Sequence, residues 1–176
     1  MAQSKWNIDL SHSGVNFSIR HMVISKVRGR FTKFTGVLTF DDEDITRSVV
    51  EATIDASSID TGVEQRDAHL RSADFFDVEK YPELRFRSTR IEKLDDNRFR
   101  VVGQLTIRDV TRDVVLPFTL EIGEDRADPS QLLARASGEV TISRLGYGIG
   151  RDEWKDTTIV ADAVTIRVDV VARRKK

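Results

Sequence analysis

From Val15 to Val171 apolar and polar residues alternate along the chain, and the one break is a charged, helix-like segment, Val63 to Phe76. A period of two places successive side chains on opposite faces of a strand. Phe99, Val101, Leu105 and Ile107 thereby share one face, Val114, Leu116, Phe118, Leu120 and Ile122 another, and Val160, Val164, Ile166, Val168 and Val170 a third. Strands this many and this long, each with one apolar face, must curl around a common interior. In an antiparallel barrel that interior is either a packed core or a pocket for one ligand.

At 176 residues the chain suits one domain, 1–176, with a real core. Its net charge of -1 gives no broad electrostatic footprint for nucleic acid or for an anionic membrane. The arginines alternate with apolar residues, as in Arg85-Phe86-Arg87 and Arg98-Phe99-Arg100, which reads as a solvated outer face. The basic tail Arg173-Arg174-Lys175-Lys176 has two readings, a contact for phosphate or, more commonly for such tails, a frayed terminus. The absence of cysteine excludes disulfides, thiolate catalysis and Cys-ligated zinc. No apolar run approaches the roughly 18 residues of a transmembrane segment, and the start, Met1 to Trp6, has no signal-like h-region. The expected location is cytoplasmic, or periplasmic if an export signal was trimmed.

Turn signals divide the strands. Asp41-Asp42-Glu43-Asp44 separates a long ribbon, Val27 to Phe40, from the strand Ser48 to Asp55, and Leu94-Asp95-Asp96-Asn97 links Leu84 to Lys93 with Arg98 to Arg108. Gly123 to Ser130 is a longer loop before the strand Leu132 to Ser143. No linker composition and no internal repeat is present. In the helical segment, good helix formers follow Thr61-Gly62, and Val63, Leu70 and Ala73 make a narrow apolar stripe that ends in Phe75-Phe76. Inserted into a barrel, such a helix lies across one open end, either as a plug completing the core or as a lid on a pocket.

Several of these segments carry a resemblance. Trp6-Asn7-Ile8-Asp9, Ser11-His12-Ser13, Phe17-Ser18-Ile19-Arg20-His21 and Val27-Arg28-Gly29-Arg30-Phe31 resemble the opening of the YceI-like family. The similarity continues through Ser58-Ile59-Asp60-Thr61-Gly62, Arg66-Asp67-Ala68-His69-Leu70, Asp74-Phe75-Phe76-Asp77 and Tyr81-Pro82. It ends with Gly103-Gln104-Leu105-Thr106-Ile107, Pro117-Phe118 and Ser143-Arg144-Leu145-Gly146-Tyr147-Gly148. It covers essentially the whole chain in order and is most specific from Ser58 to Pro82. The resemblance implies an all-β, eight-stranded antiparallel lipocalin-like barrel with one short helical insertion around residues 63–76. It also implies binding of a polyisoprenoid chain such as an isoprenoid quinone or polyprenyl lipid. Many members of the family carry an export signal, which is not expected from the start of this sequence.

A flexible apolar tail needs length and apolar wall rather than placed donors. The candidate wall is Phe17, Ile19, Phe34, Leu38, Phe40, Ile54, Leu70, Phe75, Phe76, Phe86 and Phe118, residue types that periodicity alone would equally assign to an ordinary core. Arg66, Asp67 and His69 form the polar candidate at the pocket mouth, with two readings: they contact a headgroup, or they satisfy backbone groups at the helix entry. Tyr147 and Trp154 are amphipathic aromatics suited to holding a ring headgroup. His12, His21 and His69 show no metal-ligand spacing. Ser11 and His12, as neighbours on an extended chain, point to opposite faces and do not make a nucleophile and base pair. Gly146-Tyr147-Gly148-Ile149-Gly150 lacks the ending of a phosphate loop and fits a bulge or bend where the barrel turns a corner.

The residues support an apolar barrel pocket and the resemblance implies its ligand, so the expected protein is a non-catalytic carrier or store for a polyisoprenoid lipid, with no cofactor, no metal and no nucleic-acid partner, and a symmetric homodimer as the expected assembly. Two alternatives stay open. One is an enzyme on such a lipid that uses Arg66, Asp67 and His69 for proton transfer. The other is a lipid-free oligomeric stress or interaction protein.

Overall fold

A computed structural model describes residues 4–22, 24–41 and 43–176; the side chains of Ser4 and Phe40 lie outside that description. Eleven strands occupy eight positions around a closed barrel, because three positions are each filled by two strands in line. The first holds β1 (Ser4–Ile8) and β2 (Gly14–His21), the second β3 (Ser25–Phe31) and β4 (Phe34–Phe40), and the third β5 (Val49–Asp55) and β6 (Ile59–Asp60). After the helix α1 (Glu64–Arg71) come β7 (Glu83–Lys93), β8 (Arg98–Ile107), β9 (Val110–Glu124), β10 (Gln131–Ser143) and β11 (Val160–Lys175). Each position pairs antiparallel with the next, and β11 closes the ring by pairing with β2 and β1.

The expected ribbon from Val27 to Phe40 is broken at Thr32 and Lys33. A 3-10 turn at Ala56–Ser58 interrupts the neighbouring position at the same level, and Ser58 serves both freed amides: its carbonyl accepts from Thr32 N at 3.2 Å and its hydroxyl oxygen from Lys33 N at 3.1 Å. The first position breaks at Leu10–His12, where the Asp9 carboxylate accepts from Ser11 N. These in-line breaks let long strands bend around a small interior without losing backbone hydrogen bonds.

The alternation sorts inside from outside much as expected. In β8, Phe99, Val101, Leu105 and Ile107 are all buried. Gly103 between them lets the Phe86 ring lie against the strand, for a Cβ there would stand 2.5 Å from Phe86 Cζ and 2.6 Å from the Arg87 carbonyl oxygen. Ile122, grouped by periodicity with the inner face of β9, is exposed. The helix is shorter than expected: Ser72 leaves the helical region with ψ 172, and the chain then turns through Phe75. Of the expected stripe, Val63 and Ala73 are exposed and only Leu70 packs on the core. The basic tail is not frayed, since β11 runs to Lys175 and the Arg173 guanidinium reaches Asp9 at 2.5 Å and Asp125 at 2.9 Å. The glycine-rich run is a 3-10 turn, Leu145–Tyr147, outside the sheet rather than a corner within it. Among the described residues no helix is long and apolar enough to cross a membrane.

The contrast between two glycines tests how tightly the wall is packed. Gly103→Ala is expected to cost about 1–3 kcal/mol through forced repacking. Gly123→Ala, where a Cβ would meet nothing within 4 Å, should be neutral or stabilise by up to about 1 kcal/mol. Urea unfolding of the two variants decides, and equal stabilities would contradict the packing described.

Candidate functional site

The barrel encloses a long cavity of about 330 Å³, near the lower end of the roughly 300–1,000 Å³ usual for small-molecule sites. At one end its wall is Trp6, Ile45, Leu120 and Ala172; at the other it is Leu70, Phe75, Phe76 and Ile149. Between them run inward residues of every strand position, including Val114, Leu116, Val164, Ile166, Val168 and Val170. The helical insertion and the segment after β10 thus form an end wall, and the strands form the sides.

Glu51 and Arg144 are the charged residues in this wall, and neither presents a free charge to it. The Glu51 carboxylate lies 3.6 Å from Arg87 on the exposed outer face. Arg144 is 2 % exposed, and its guanidinium donates to four backbone carbonyls: Nε to Ala161, Nη1 to Ile149, and Nη2 to Trp154 and Val160, at 2.7–2.9 Å. Burial lowers its pKa from the ordinary guanidinium value, and Asp162 partly restores it. Gly150 makes this possible, since with φ +91 it lies where a Cβ would stand 2.2 Å from Arg144 Nη1. Arg144 therefore pins the 145–160 segment over the barrel end.

Of the residues singled out from sequence, Phe17, Ile19, Phe34, Leu38, Ile54, Leu70, Phe75, Phe76, Phe86 and Phe118 all line the cavity. The Phe40 side chain lies outside the described part. Arg66, Asp67, His69, Tyr147 and Trp154 do not line it. Asp67, 4 % exposed, turns back to the entry of its own helix and accepts from Thr61 N at 2.9 Å and Thr61 Oγ1 at 2.5 Å. Arg66 donates to the same threonine, Nε to Oγ1 and Nη2 to the carbonyl. His69 stands apart from that pair, with Nε2 3.0 Å from Asp74 and its ring edge-on to Phe75 and Trp154 at 5.1 and 5.0 Å. The physical reason is common to all: polar groups at the helix entry bind orphaned backbone or each other, and the aromatics fasten the insertion to the segment after β10.

The Ser11 and His12 side chains are not splayed apart, because the 3-10 turn replaces the extended chain assumed from sequence. Ser11 Oγ is 3.1 Å from His12 Nδ1, and Asp9 receives the hydroxyl at 2.7 Å and lies 2.8 Å from the same Nδ1. Both partners converge on Nδ1, so the ring relays nothing between hydroxyl and carboxylate, as a nucleophile, base and orienting acid would require. The group caps a turn.

Sequence reading missed Trp6, Leu84, Leu105, Ile149 and Arg144 in the wall. The first three carried a signal in their strand faces; the last two sit outside the sheet, where no periodicity points inward.

With the geometry described, the comparisons follow. The model of a family described as YceI-like domain matches residues 6–172. The chain belongs to the YceI-like family. Among curated YceI relatives, a UPF0312 protein of Photorhabdus laumondii is 40% identical over 128 residues, covering 73% of this chain and 65% of that one. Protein YceI of Escherichia coli O157:H7 is 42% identical over 105 residues, covering 60% and 54%. The matched part is thus just under two thirds of the first relative's length and about half of the second's. Among solved structures, BcnA of Burkholderia cenocepacia superposes with a TM-score of 0.85 at 30% identity, covering 94% of this chain and 99% of that one. A YceI protein of Campylobacter jejuni gives 0.80 at 28%, covering 90% and 91%. A polyisoprenoid binding domain from Saccharophagus degradans gives 0.69 at 14%, covering 99% of each, a likeness of fold alone.

Tyr147 offers a test of the end wall. It is 2 % exposed and its hydroxyl has no hydrogen-bond partner among the described residues. Burial raises its pKa above the ordinary 10.0, with Arg112 opposing and Asp113 adding to the rise. The unfolded chain ionises this phenol near 10 while the folded one keeps it neutral, so its contribution to stability is full below that pH and is lost as pH rises above it. Tyr147→Phe should remove this alkaline loss and, at neutral pH, leave stability unchanged or raise it by about 1 kcal/mol, because a partnerless buried hydroxyl is removed. Denaturant titrations at neutral and alkaline pH check both, and a clear loss at neutral pH would mean the hydroxyl is satisfied.

Proposed function

We propose that this chain binds a polyisoprenoid lipid, an isoprenoid quinone or a polyprenyl chain, in its barrel, and carries or stores it without altering it. The observation that carries this reading is the cavity: long, apolar from end to end, with both charged wall residues already engaged elsewhere. Each CH₂ moved from water into such a space contributes about 0.8 kcal/mol, so a long tail offsets the cost of its own ordering. The barrel shared with a neighbour described as a polyisoprenoid binding domain supports the reading at the level of fold.

On this reading Phe17, Phe34, Phe76, Phe86 and Phe118 contact the tail, and Arg66, Asp67 and His69 hold the end wall in shape behind it. A wall without a free acid or base gives proton transfer no agent within reach of a buried ligand, which favours binding over catalysis.

A hydrophobic fluorescent probe should brighten in the purified protein, and a long-chain quinone or polyprenol should displace it; failure of every long isoprenoid to compete would overturn the reading. Phe76→Asp places an unpaired charge against the tail and should abolish displacement while the barrel still melts cooperatively. Asp67→Ala should cost about 1–3 kcal/mol of stability, the usual loss for a buried hydrogen-bonded group, and mass spectrometry of quinone incubated with wild type or variant should recover it unchanged. Conversion by wild type alone would replace the carrier with an enzyme.

A further inference from the structure

The chain carries no Asp or Glu between Asp9 and Asp41, whereas Arg20, Lys26, Arg28, Arg30 and Lys33 fall in that interval. The near-neutral total conceals this local excess. The β2–β3 hairpin gathers most of it on one face: the register pairs Arg20 with Lys26 and Ser18 with Arg28, while Ile19 and Val27 face the other way. Arg20, Lys26, Arg28 and Arg30 are all exposed. Arg30 lies 3.9 Å from Asp60. The other three make no ion pair with any described residue. Further acids near the hairpin are occupied: Asp156 accepts from Thr158 N and Oγ1, Asp162 from Ser143 Oγ and Leu145 N, and Asp169, on the β11 strand beside β2, from Ser137 Oγ and Arg167 Nε.

At the tip of the same hairpin the polarity reverses. Ile24 is 93% exposed and Met22 57% exposed, with Val23 between them outside the described residues. A single exposed aliphatic residue is ordinary. A bare apolar tip backed by a face of unneutralised cations is the arrangement that suits the boundary of an anionic bilayer, where apolar side chains enter the acyl region and Lys and Arg meet the headgroups.

We propose that the β2–β3 hairpin docks this protein on an anionic lipid surface, with Met22 and Ile24 entering the interface and Arg20, Lys26 and Arg28 contacting phosphate headgroups. Docking does not depend on what the cavity holds. Its use for exchanging a ligand rests on the lipid-binding reading, and there the position is apt. Ile19, in the same hairpin, lines the cavity, and β6 pairs only with Arg30 and Phe31, so among the described residues the Ser25 to Gly29 edge of β3 has no strand beyond it. The sheet is incomplete where the hairpin would meet the membrane.

The test is sedimentation with vesicles of phosphatidylcholine alone or containing one third phosphatidylglycerol. Wild type should sediment with the anionic vesicles, not with the neutral ones, and should be released as salt shortens the Debye length from roughly 30 Å to roughly 8 Å. The triple variant Arg20→Gln, Lys26→Gln, Arg28→Gln should lower the partition coefficient about 100-fold, roughly fivefold per cation. Ile24→Asp should lower it about tenfold or more, by loss of one buried aliphatic side chain. All these positions are exposed, so unchanged melting and unchanged probe displacement by quinone show that the barrel and cavity are intact. Phe76→Asp, which empties the cavity, should bind vesicles as wild type does, so loss of cavity binding and loss of docking are read separately. No sedimentation of wild type, equal binding to neutral vesicles, or wild-type binding by the variants would overturn the proposal. So would tight binding of duplex DNA that depends on the three cations but not on Ile24, which would assign the basic face to nucleic acid.

Discussion

Closure of the sheet by β11 is the constraint on which the rest of the molecule depends. This 16-residue strand pairs with β10 from Ala163 to Lys175 on one side and with β2 and then β1 on the other. Where it passes the break between β1 and β2 the ladder is continued by other groups: Asp9 N donates to the Val171 carbonyl at 2.8 Å, and Val171 N donates to Ser13 Oγ at 2.9 Å. The Asp9 carboxylate, hydrogen-bonded by Ser11, Arg173 and His12, is held well below the usual carboxylate range. Closure joins every strand position to the next and leaves only short open edges, such as Ser25 to Gly29 of β3, among the described residues, so the inward faces have nowhere to go but against one another. The cavity is what remains when those faces, with valine and isoleucine on β11, do not fill the space.

The two ends are finished differently. One is packed directly by Trp6, Phe99 and Leu120 from the strands themselves, with Phe99 and Phe118 stacked at 5.6 Å. The other is covered by two segments that belong to no strand, and these are bound to each other as much as to the barrel. Trp154 meets His69 and Phe75; Arg151 N donates to the Asp74 carbonyl at 3.0 Å; Arg108, in the β8–β9 turn, donates to the Phe75 carbonyl at 2.6 Å. Burying Arg144 beneath this cover is costly, and four carbonyl acceptors offset that cost with charge-assisted hydrogen bonds. The end wall is thus held by side chains and backbone groups drawn from distant parts of the sequence.

Sequence alone determined the β class, the barrel and most of its lining. Phe17, Phe86, Phe118 and the inward valines of β11 were legible because strand periodicity is a local property: once the backbone is extended, each residue's face follows from its neighbours'. The resemblance to the YceI-like family was legible for the same reason that it covers the chain in order. What only the tertiary structure decided is everything that depends on distant partners. The ribbon breaks at Thr32 because Ser58 stands opposite; Asp67 faces Thr61 and not the cavity because the helix entry has open donors; Arg144 is inside because Ile149, Trp154 and Val160 converge on it. Charge obeys the same division: the acid-free interval from Leu10 to Phe40 is visible in sequence, but only the hairpin register puts its cations on one face, with Ile24 bare beyond them. Polar side chains bond whatever the fold brings near, and proximity across a closed sheet is not a local property of the chain.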